Sequence, residues 1–326
     1  MALQAPPDVV AELDGYRREL TGFCYRMLGS WPTAEDAVQD TFLKAFRAAD
    51  HFDGRSSVRT WLYRIARNVC IDEYRAAGRR ARPTDLSEPA RMADLASGAV
   101  EIVPAETEWV LPAPTSALVD ETGDPADVAV QHESIRLAFV AALQLLPESQ
   151  RAAVILADVL HWPAADVASM LDTTVAAVNS ALQRARVTLA ANRESLPIPP
   201  ATPERRDLLE RYIAAFEAYD TDAIVALVKP DVTVTMPPFG FWLRGAREWA
   251  EFMTGPGAAC LGSKTLPVSL NGEAGFAQYK PTARGLYTPW ALVMVEQADD
   301  GLVTGVHNYV YGDLFERYGL PAQLAD

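Results

Sequence analysis

The chain has 326 residues, 49% of them hydrophobic, and a formal net charge of -14 at pH 7. This length exceeds one average domain, and the hydrophobic content is sufficient for two or three folded units. No stretch reaches the roughly 18 apolar residues of a membrane span, and no basic segment leads into an apolar run at the N-terminus. We therefore expect a cytoplasmic protein without a membrane partner.

The cysteines do not form a metal-binding or redox pattern. Cys24, Cys70 and Cys260 are odd in number and far apart, and none has a CxxC or Cys/His spacing. We expect reduced, structural thiols, and we predict neither a metal site nor a cofactor.

The charges are unevenly distributed along the chain. Nine arginines and four acids lie between Arg55 and Arg91, whereas eleven acids and one arginine lie between Asp85 and Glu133. The overall negative charge argues against a nucleic-acid partner, because phosphate binding depends on Lys and Arg. The local excess of arginine reverses that argument. It indicates a basic helical block followed by an acidic, flexible tether.

The first part of the chain has a helical pattern. Apolar residues from Val9 to Phe46 recur at helical spacing and are interrupted at Gly29-Ser30-Trp31-Pro32, which predicts a helical hairpin. A third long helix is predicted over 58–80. Arginines alternate there with Trp61 and tyrosines, a mixture that suits single-stranded DNA because cations contact the backbone and planar rings contact unstacked bases. Core aromatics beside a solvated basic face are the alternative interpretation.

The middle of the chain predicts a linker and then a second helical module. Residues 81–130 lose periodicity and gain Pro, Gly, Ser, Thr and acids. Helical periodicity returns over 131–195, with breaks at Leu145-Leu146-Pro147 and His161-Trp162-Pro163. Within it, residues 164–186 have the small and apolar positions of a helix-turn-helix. An ordinary helical hairpin is the alternative.

The C-terminal part has a mixed pattern. After the proline-rich segment Leu196-Pro197-Ile198-Pro199-Pro200, two helices are predicted over 204–219 and 221–228. Strand-like runs follow, and these are 232–236, 276–280, 290–296 and 302–311. This order predicts an α+β domain.

Four motifs in register resemble regions 2 and 4 of sigma factors of the extracytoplasmic-function (ECF) class. They are residues 34–42, residues 59–68, Leu146-Pro147-Glu148-Ser149-Gln150-Arg151 and the helix-turn-helix. Two positions depart from the family pattern, because Asp172 in the turn of the helix-turn-helix and His161 before Trp162 stand where relatives often have glycine. The resemblance implies two all-α sigma modules, region 2 over 1–82 and region 4 over 131–195, joined by an acidic linker over 83–130.

The resemblance also assigns roles to individual residues. In the family, the helix after the first hairpin turn docks on the β′ clamp of core RNA polymerase, region 4 binds the β flap, and both regions bind promoter DNA. The implied core-polymerase contacts are Asp36, Gln39, Asp40, Phe42 and Arg47. The implied minus-10 contacts are Arg55, Ser57, Arg59, Trp61, Arg64, Asn68, Asp72, Arg75 and Arg79, of which Trp61 fits a packing role equally well. The implied minus-35 contacts are Thr174, Ala176, Ala177, Asn179, Ser180, Gln183, Arg184 and Arg186.

The remaining segments resemble one subgroup of that family. Glu108-Trp109-Val110-Leu111-Pro112-Ala113-Pro114 is similar to a Trp-Leu-Pro motif of ECF factors that carry a SnoaL-like, NTF2-related cone. In sigma factors this connection threads toward the polymerase active centre. Residues 204–326 resemble that cone, which can hold a small ligand. The pocket candidates are Trp290, His307, Tyr309 and Tyr311.

The interpretation that joins these features is a transcription initiation factor without catalytic residues, regulated by a C-terminal domain that contacts the sigma modules or the linker. A one-component regulator and a polyketide-cyclase-type enzyme are the rivals. The motif at 34–47 argues against the first rival, since a simple repressor does not bind polymerase. The absence of an evident His/Asp pair argues against the second.

Overall fold

The computed structural model describes residues 13–52, 54, 56–99, 108–122, 124–191, 203–282 and 285–325. The chain forms two compact units, each discontinuous in sequence: Met1–Arg80 with Val110–Leu196, and Ala81–Trp109 with Pro197–Asp326. The helices are α1 (Arg17–Leu28), α2 (Trp31–Ala48), α3 (Val58–Ala77), α4 (Met92–Ala96), α5 (Thr115–Leu118), α6 (Pro125–Ile135), α7 (Leu137–Leu143), α8 (Glu148–Val154), α9 (Ala164–Met170), α10 (Val175–Ala191), α11 (Pro203–Glu217), α12 (Thr221–Leu227) and α13 (Ala246–Thr254). The strands are β1 (Val228–Thr235), β2 (Trp242–Arg244), β3 (Lys264–Leu270), β4 (Glu273–Pro281), β5 (Leu286–Gln297), β6 (Val303–Tyr309) and β7 (Leu324–Ala325).

The first unit begins with the predicted hairpin and third helix. Gly29 ends α1 with a φ of 69°, and its amide donates to the Tyr25 carbonyl. This left-handed conformation is the usual helix stop and favours glycine. The Ser57 hydroxyl caps α3 by accepting from the Thr60 amide. Gly78 ends α3 three residues before the expected position.

The carbonyl end of α1 is buried and receives hydrogen bonds from several elements. The last four carbonyls of a helix have no partner within it. Here the Gly29 amide donates to the Tyr25 carbonyl, as described, and the Gln144 side-chain amide donates to the Arg26 carbonyl over 3.2 Å. Arg151 donates to the Met27 carbonyl, and Arg80 donates to the Leu28 carbonyl over 2.9 Å. All four acceptors are thereby satisfied.

The second half of this unit contains the predicted helix-turn-helix, α9 and α10. Helical structure starts at Pro125, six residues earlier than expected, because the Asp124 carboxylate caps α6. Asp172 in the turn and His161 before α9 have φ values of 57° and 55°. Both therefore adopt the left-handed conformation that glycine takes most easily, and Asp is among the side chains that tolerate it.

The second unit is α+β, as predicted. Its sheet has the order β2-β1-β6-β5-β4-β3, with β7 paired to β5 and with β1 and β6 parallel. Helices α11, α12 and α13 pack on one face of this sheet through Val234, Phe276, Val293 and other apolar residues. Both predicted helices and the four predicted strands are present. The short strands β2 and β7, the edge strand β3 and helix α13 were not predicted.

Residues 83–98, here named the strap, belong to the second unit. Ala90 donates its amide to the Trp242 carbonyl over 2.7 Å and pairs in parallel with β2. Ala90, Met92 and Leu95 are buried in the core of the unit, and the Met92 amide donates to Glu248 of α13 over 2.6 Å. The strap is thus packed on the second unit, where the sequence predicted a flexible tether.

Within the ranges given above, no helix has both the length and the apolar character that a membrane span needs. The same ranges contain no group of three or more His, Cys, Asp or Glu side chains that could hold a metal ion.

Arg151→Met should lower the free energy of unfolding by about 3 kcal/mol or more. The substitution leaves the Met27 and Leu146 carbonyls and the Gln144 side-chain oxygen without their donor, and each buried unsatisfied group costs about 1–3 kcal/mol. Urea unfolding followed by circular dichroism measures the change. Arg184→Met, at an exposed position of α10, is the control, and an equal loss in both variants would contradict the structural role of Arg151.

Candidate nucleic-acid and partner interfaces

One face of α2 is exposed and combines acidic with apolar side chains. Asp36, Gln39, Asp40 and Arg47 are exposed, whereas Phe42 is half-buried under the Arg17 guanidinium, 4.9 Å from its ring centroid. The opposite side of α2 is buried.

Two apolar residues on α2 were not recognised as site residues from the sequence. Leu43 and Phe46 are 53% and 63% exposed, although Phe46 fitted the buried stripe of the predicted helix. Their spacing from Asp36, Gln39 and Asp40 places them on the same face, because residues three or four apart are neighbours on a helix. Exposed large apolar side chains on a polar face indicate a protein contact.

The minus-10 candidates on and beside α3 differ in exposure and in their contacts. Ser57 caps the helix, and Trp61 packs on Phe52 with ring centroids 5.1 Å apart, so both have structural roles. Arg59 is half-buried and pairs with Glu19 over 2.9 Å. The exposed candidates are Arg64, Asn68, Asp72, Arg75 and Arg79. Arg55 lies outside the described residues.

Three of the α3 arginines contact the second half of the first unit. The Arg59 guanidinium lies 5.0 Å from the ring centroid of Trp162, which packs on Tyr63. Arg64 donates to the Ser169 carbonyl over 3.4 Å, and Arg75 to the Glu148 carboxylate over 3.3 Å. These arginines are therefore engaged within the protein.

Helix α10 presents a polar face opposite its buried side. Val178, Leu182 and Ala185 are buried. Arg186 pairs with Asp158 over 2.6 Å, and the Thr174 hydroxyl accepts from the Ala177 amide as a helix cap. All eight minus-35 candidates are exposed, namely Thr174, Ala176, Ala177, Asn179, Ser180, Gln183, Arg184 and Arg186. An exposed polar face of this kind is what a recognition helix needs in order to reach base edges.

The second unit contains a small cavity, and the sequence assigned its lining only in part. Trp290 lines the cavity, together with Asn308 of β6 and Val310, the first residue after that strand. Successive strand residues point to opposite faces, so His307 and Tyr309 lie on the other face of the sheet. Tyr311, beyond the end of β6, is not among the lining residues. The four candidates are therefore not brought together.

His307 has an acidic neighbour that the sequence did not reveal. Its Nε2 lies 3.3 Å from the Glu296 carboxylate, and its Nδ1 lies 2.9 Å from the Thr235 hydroxyl. His307 on β6 and Glu296 on β5 are eleven positions apart in sequence and meet across these two antiparallel strands. Gly305 leaves room for it, because a Cβ there would lie 2.8 Å from both partners. The pair is on the sheet face opposite the cavity.

The two halves of the first unit match known family models. Residues 13–80 match Sigma-70 region 2, and residues 136–189 match Sigma-70, region 4. A helical module with an arginine-rich helix and a helix-turn-helix thus define a protein of the sigma-70 class.

Relatives match over nearly the whole chain. The chain is 41% identical over 322 residues to the ECF RNA polymerase sigma factor SigG of Mycobacterium tuberculosis, covering 97% of this chain and 85% of the relative. It is 29% identical over 280 residues to the ECF RNA polymerase sigma factor SigJ of the same organism, covering 82% and 80%. The chain belongs to the ECF RNA polymerase sigma factors. It is a transcription initiation factor whose partners are core RNA polymerase and promoter DNA.

The fold is also shared with a solved structure. The crystal structure of M. tuberculosis SigJ has a TM-score of 0.61 to this chain at 23% identity, covering 96% of this chain and 99% of the other. The combination of helical sigma modules with a C-terminal α+β domain therefore recurs in that structure.

Arg184→Ala should weaken initiation at promoters that contain a minus-35 element, since one good base contact contributes about 1–3 kcal/mol. Run-off transcription with core polymerase, on a promoter selected from a genomic library with and without its minus-35 element, measures the effect. Arg206→Ala, an exposed arginine of α11, controls for the loss of one positive charge. Equal losses for the two variants, or on the two templates, would contradict the assignment of Arg184.

Proposed function

We propose that this sigma factor contacts its partners through three separate surfaces. The free face of α2 binds the polymerase β′ clamp, α3 binds the minus-10 element, and α10 binds the minus-35 element in the major groove. The exposure of α10 carries the proposal, because all eight candidate residues are exposed while its apolar side is buried. Its site of action is the cytoplasm, with the β flap as the contact of region 4.

The α2 surface has the composition of a protein interface. Interfaces concentrate binding energy in a few large apolar side chains surrounded by polar groups. Leu43 and Phe46 supply the apolar centre, and Asp36, Gln39 and Asp40 supply the polar rim on the same face. We therefore add both apolar residues to the proposed clamp contact.

Reversing Asp36 and Asp40 together to Lys should abolish co-purification with core polymerase while the helical content stays unchanged. Asp207→Lys with Glu210→Lys, two exposed acids of α11, makes the same change in net charge and should still assemble. Pull-down with tagged core polymerase measures binding, and circular dichroism measures helicity. Normal assembly of the α2 variant would show that the contact is misassigned.

Binding to a promoter requires the first unit to open. Elements centred near minus-10 and minus-35 are about 25 base pairs apart, roughly 85 Å along B-DNA at 3.4 Å per base pair. A compact unit of this length is about 40 Å across. The contacts of Arg59, Arg64 and Arg75 with the second half of the unit are therefore exchanged for contacts with DNA.

The second unit acts as a regulator without catalysis of its own, and it acts through the strap. The strap belongs to the connection that threads toward the polymerase active centre in sigma factors, and here it is seated on the second unit. Burial of a Met or Leu side chain contributes about 1.5–3 kcal/mol. Packing of the strap on the second unit through Met92 and Leu95 therefore competes with binding of the same segment by polymerase. The His307–Glu296 pair lies away from the cavity, which argues against an acid-base site there.

Met92→Asp should release the strap and raise run-off transcription at limiting core polymerase, because a buried unpaired carboxylate opposes seating. Hydrogen exchange should accelerate at the Ala90 amide, which bonds to the Trp242 carbonyl. Leu86→Asp, at a 54% exposed position of the same segment, is the control and should behave as the unmodified protein. Release of the strap with unchanged or lower transcription would overturn the regulatory role.

A further inference from the structure

Cys260 differs from the other two cysteines in its exposure. Cys24 and Cys70 are fully buried in the first unit, whereas Cys260 in the second unit is half-buried. It is the last residue of a 3₁₀ turn, Pro256–Cys260, that follows α13. Buried thiols are inert, whereas reactive thiols lie in partly exposed sites next to a cation. Of the three cysteines, all within the described ranges, only Cys260 has the exposure that a reactive thiol needs.

Hydrogen bonds hold this turn in place. The Tyr219 hydroxyl lies 2.9 Å from the Met253 carbonyl and 2.7 Å from the Gly257 carbonyl. The Ser263 hydroxyl and amide both donate to the Cys260 carbonyl, over 2.7 and 3.2 Å. The backbone that carries the thiol is therefore fixed on both sides of Cys260.

The cation next to Cys260 is Lys280 of β4. Its ammonium lies 3.3 Å from the ring centroid of Trp290, and its hydrogen-bond and charge partner is the Cys260 thiol. No Asp or Glu within the described ranges forms an ion pair with Lys280. Burial lowers the pKa of Lys280, as expected for a half-buried ammonium without a carboxylate partner. Such an ammonium can stabilise a thiolate and can give a proton to a leaving group.

The cavity beside Cys260 admits a molecule of only a few atoms. Its volume is about 50 Å³, and Cys260 and Trp290 are among its lining residues. On this scale one water needs about 10–15 Å³, whereas benzene binds in a cavity of about 150 Å³. Hydrogen peroxide has two oxygen atoms and needs the room of about two waters, so it fits the cavity, whereas an aromatic ligand does not.

We propose that Cys260 is a site of oxidation by hydrogen peroxide, with Lys280 as the proton donor. The thiolate sulfur attacks one peroxide oxygen, so that an S–O bond forms while the O–O bond breaks. The Lys280 ammonium gives its proton to the departing hydroxide, which leaves as water. The sulfur is oxidised to a sulfenic acid, and the peroxide is reduced. This site is independent of the proposed promoter and polymerase contacts.

The test exposes the full-length chain to hydrogen peroxide at pH 7 and labels sulfenic acids with dimedone. Mass spectrometry then locates the label. Cys260 should be labelled, whereas Cys24 and Cys70 should stay unlabelled while the chain is folded, because both are buried. Equal labelling of all three cysteines, or no label on Cys260, would overturn the proposal, and neither result bears on promoter recognition.

Cys260 should react about tenfold faster than N-acetylcysteine at pH 7. A free thiol with a pKa near 8.5 is only about 3% thiolate at this pH. A neighbouring cation raises the thiolate fraction, and the lower nucleophilicity of a stabilised thiolate offsets part of that gain. The increase of the dimedone label with time measures the rate. A rate no higher than that of N-acetylcysteine would contradict the role of Lys280.

Lys280→Gln should slow oxidation of Cys260 about tenfold, because the thiolate loses its cation and the leaving hydroxide loses its proton donor. Lys264→Gln is a matched control, since its ammonium also lies over an aromatic ring, Tyr287 at 4.5 Å, but donates to the Ala325 carbonyl. That variant should react as the unmodified chain does. Equal losses in both lysine variants would contradict the site, and the comparison with N-acetylcysteine on the unmodified chain decides the matter if Lys280→Gln does not fold.

Discussion

The first unit depends on satisfying the carbonyl end of α1. Those carbonyls are buried, so each needs a donor from elsewhere in the chain, and the donors come from Arg80 after α3, from Gln144 after α7 and from Arg151 in α8. Leu111 adds its amide to the Gly29 carbonyl. One helix terminus thereby fixes the positions of segments that are distant in sequence. The negative end of the helix dipole also favours the two arginine cations among these donors, Arg80 and Arg151.

Arginine has two different roles in this unit, and burial separates them. Arg26 is fully buried and bonds to Ser134 and the Gly22 carbonyl, and burial lowers the pKa of Arg26 to about 10. Loss of the Arg26 contacts would leave the buried Ser134 and Gly22 acceptors unpaired, so these contacts are expected to stay formed while the unit is folded. Arg75, in contrast, pairs with Glu148 at the surface, where an ion pair contributes about 0–1 kcal/mol. Contacts of this strength are readily exchanged for phosphates, which suits a DNA-binding residue.

Periodicity predicted the helical hairpin, the helix-turn-helix, and two helices and four strands of the second unit. It did not predict the strap, because residues 83–98 are irregular and gain their structure from pairing with β2 and from burial of Ala90, Met92 and Leu95. Alternation along β6 correctly placed His307 and Tyr309 on one face. Tertiary packing decides which face of the sheet the helices cover. Asn308 and Val310 therefore line the cavity, whereas His307 and Tyr309 do not. Periodicity likewise placed Phe46 on the buried stripe of α2, but tertiary packing leaves this side chain exposed.

The discontinuity of the second unit has a consequence for synthesis on the ribosome. The strap is made before region 4, whereas its partner Trp242 in β2 is made about 150 residues after it. At roughly 5–20 residues per second, about 7–30 seconds pass between the two. During that interval the apolar side chains of the strap cannot be buried against β2, and by its end every residue of both sigma regions has been polymerised. The nascent chain therefore contains both sigma regions before the C-terminal domain is complete.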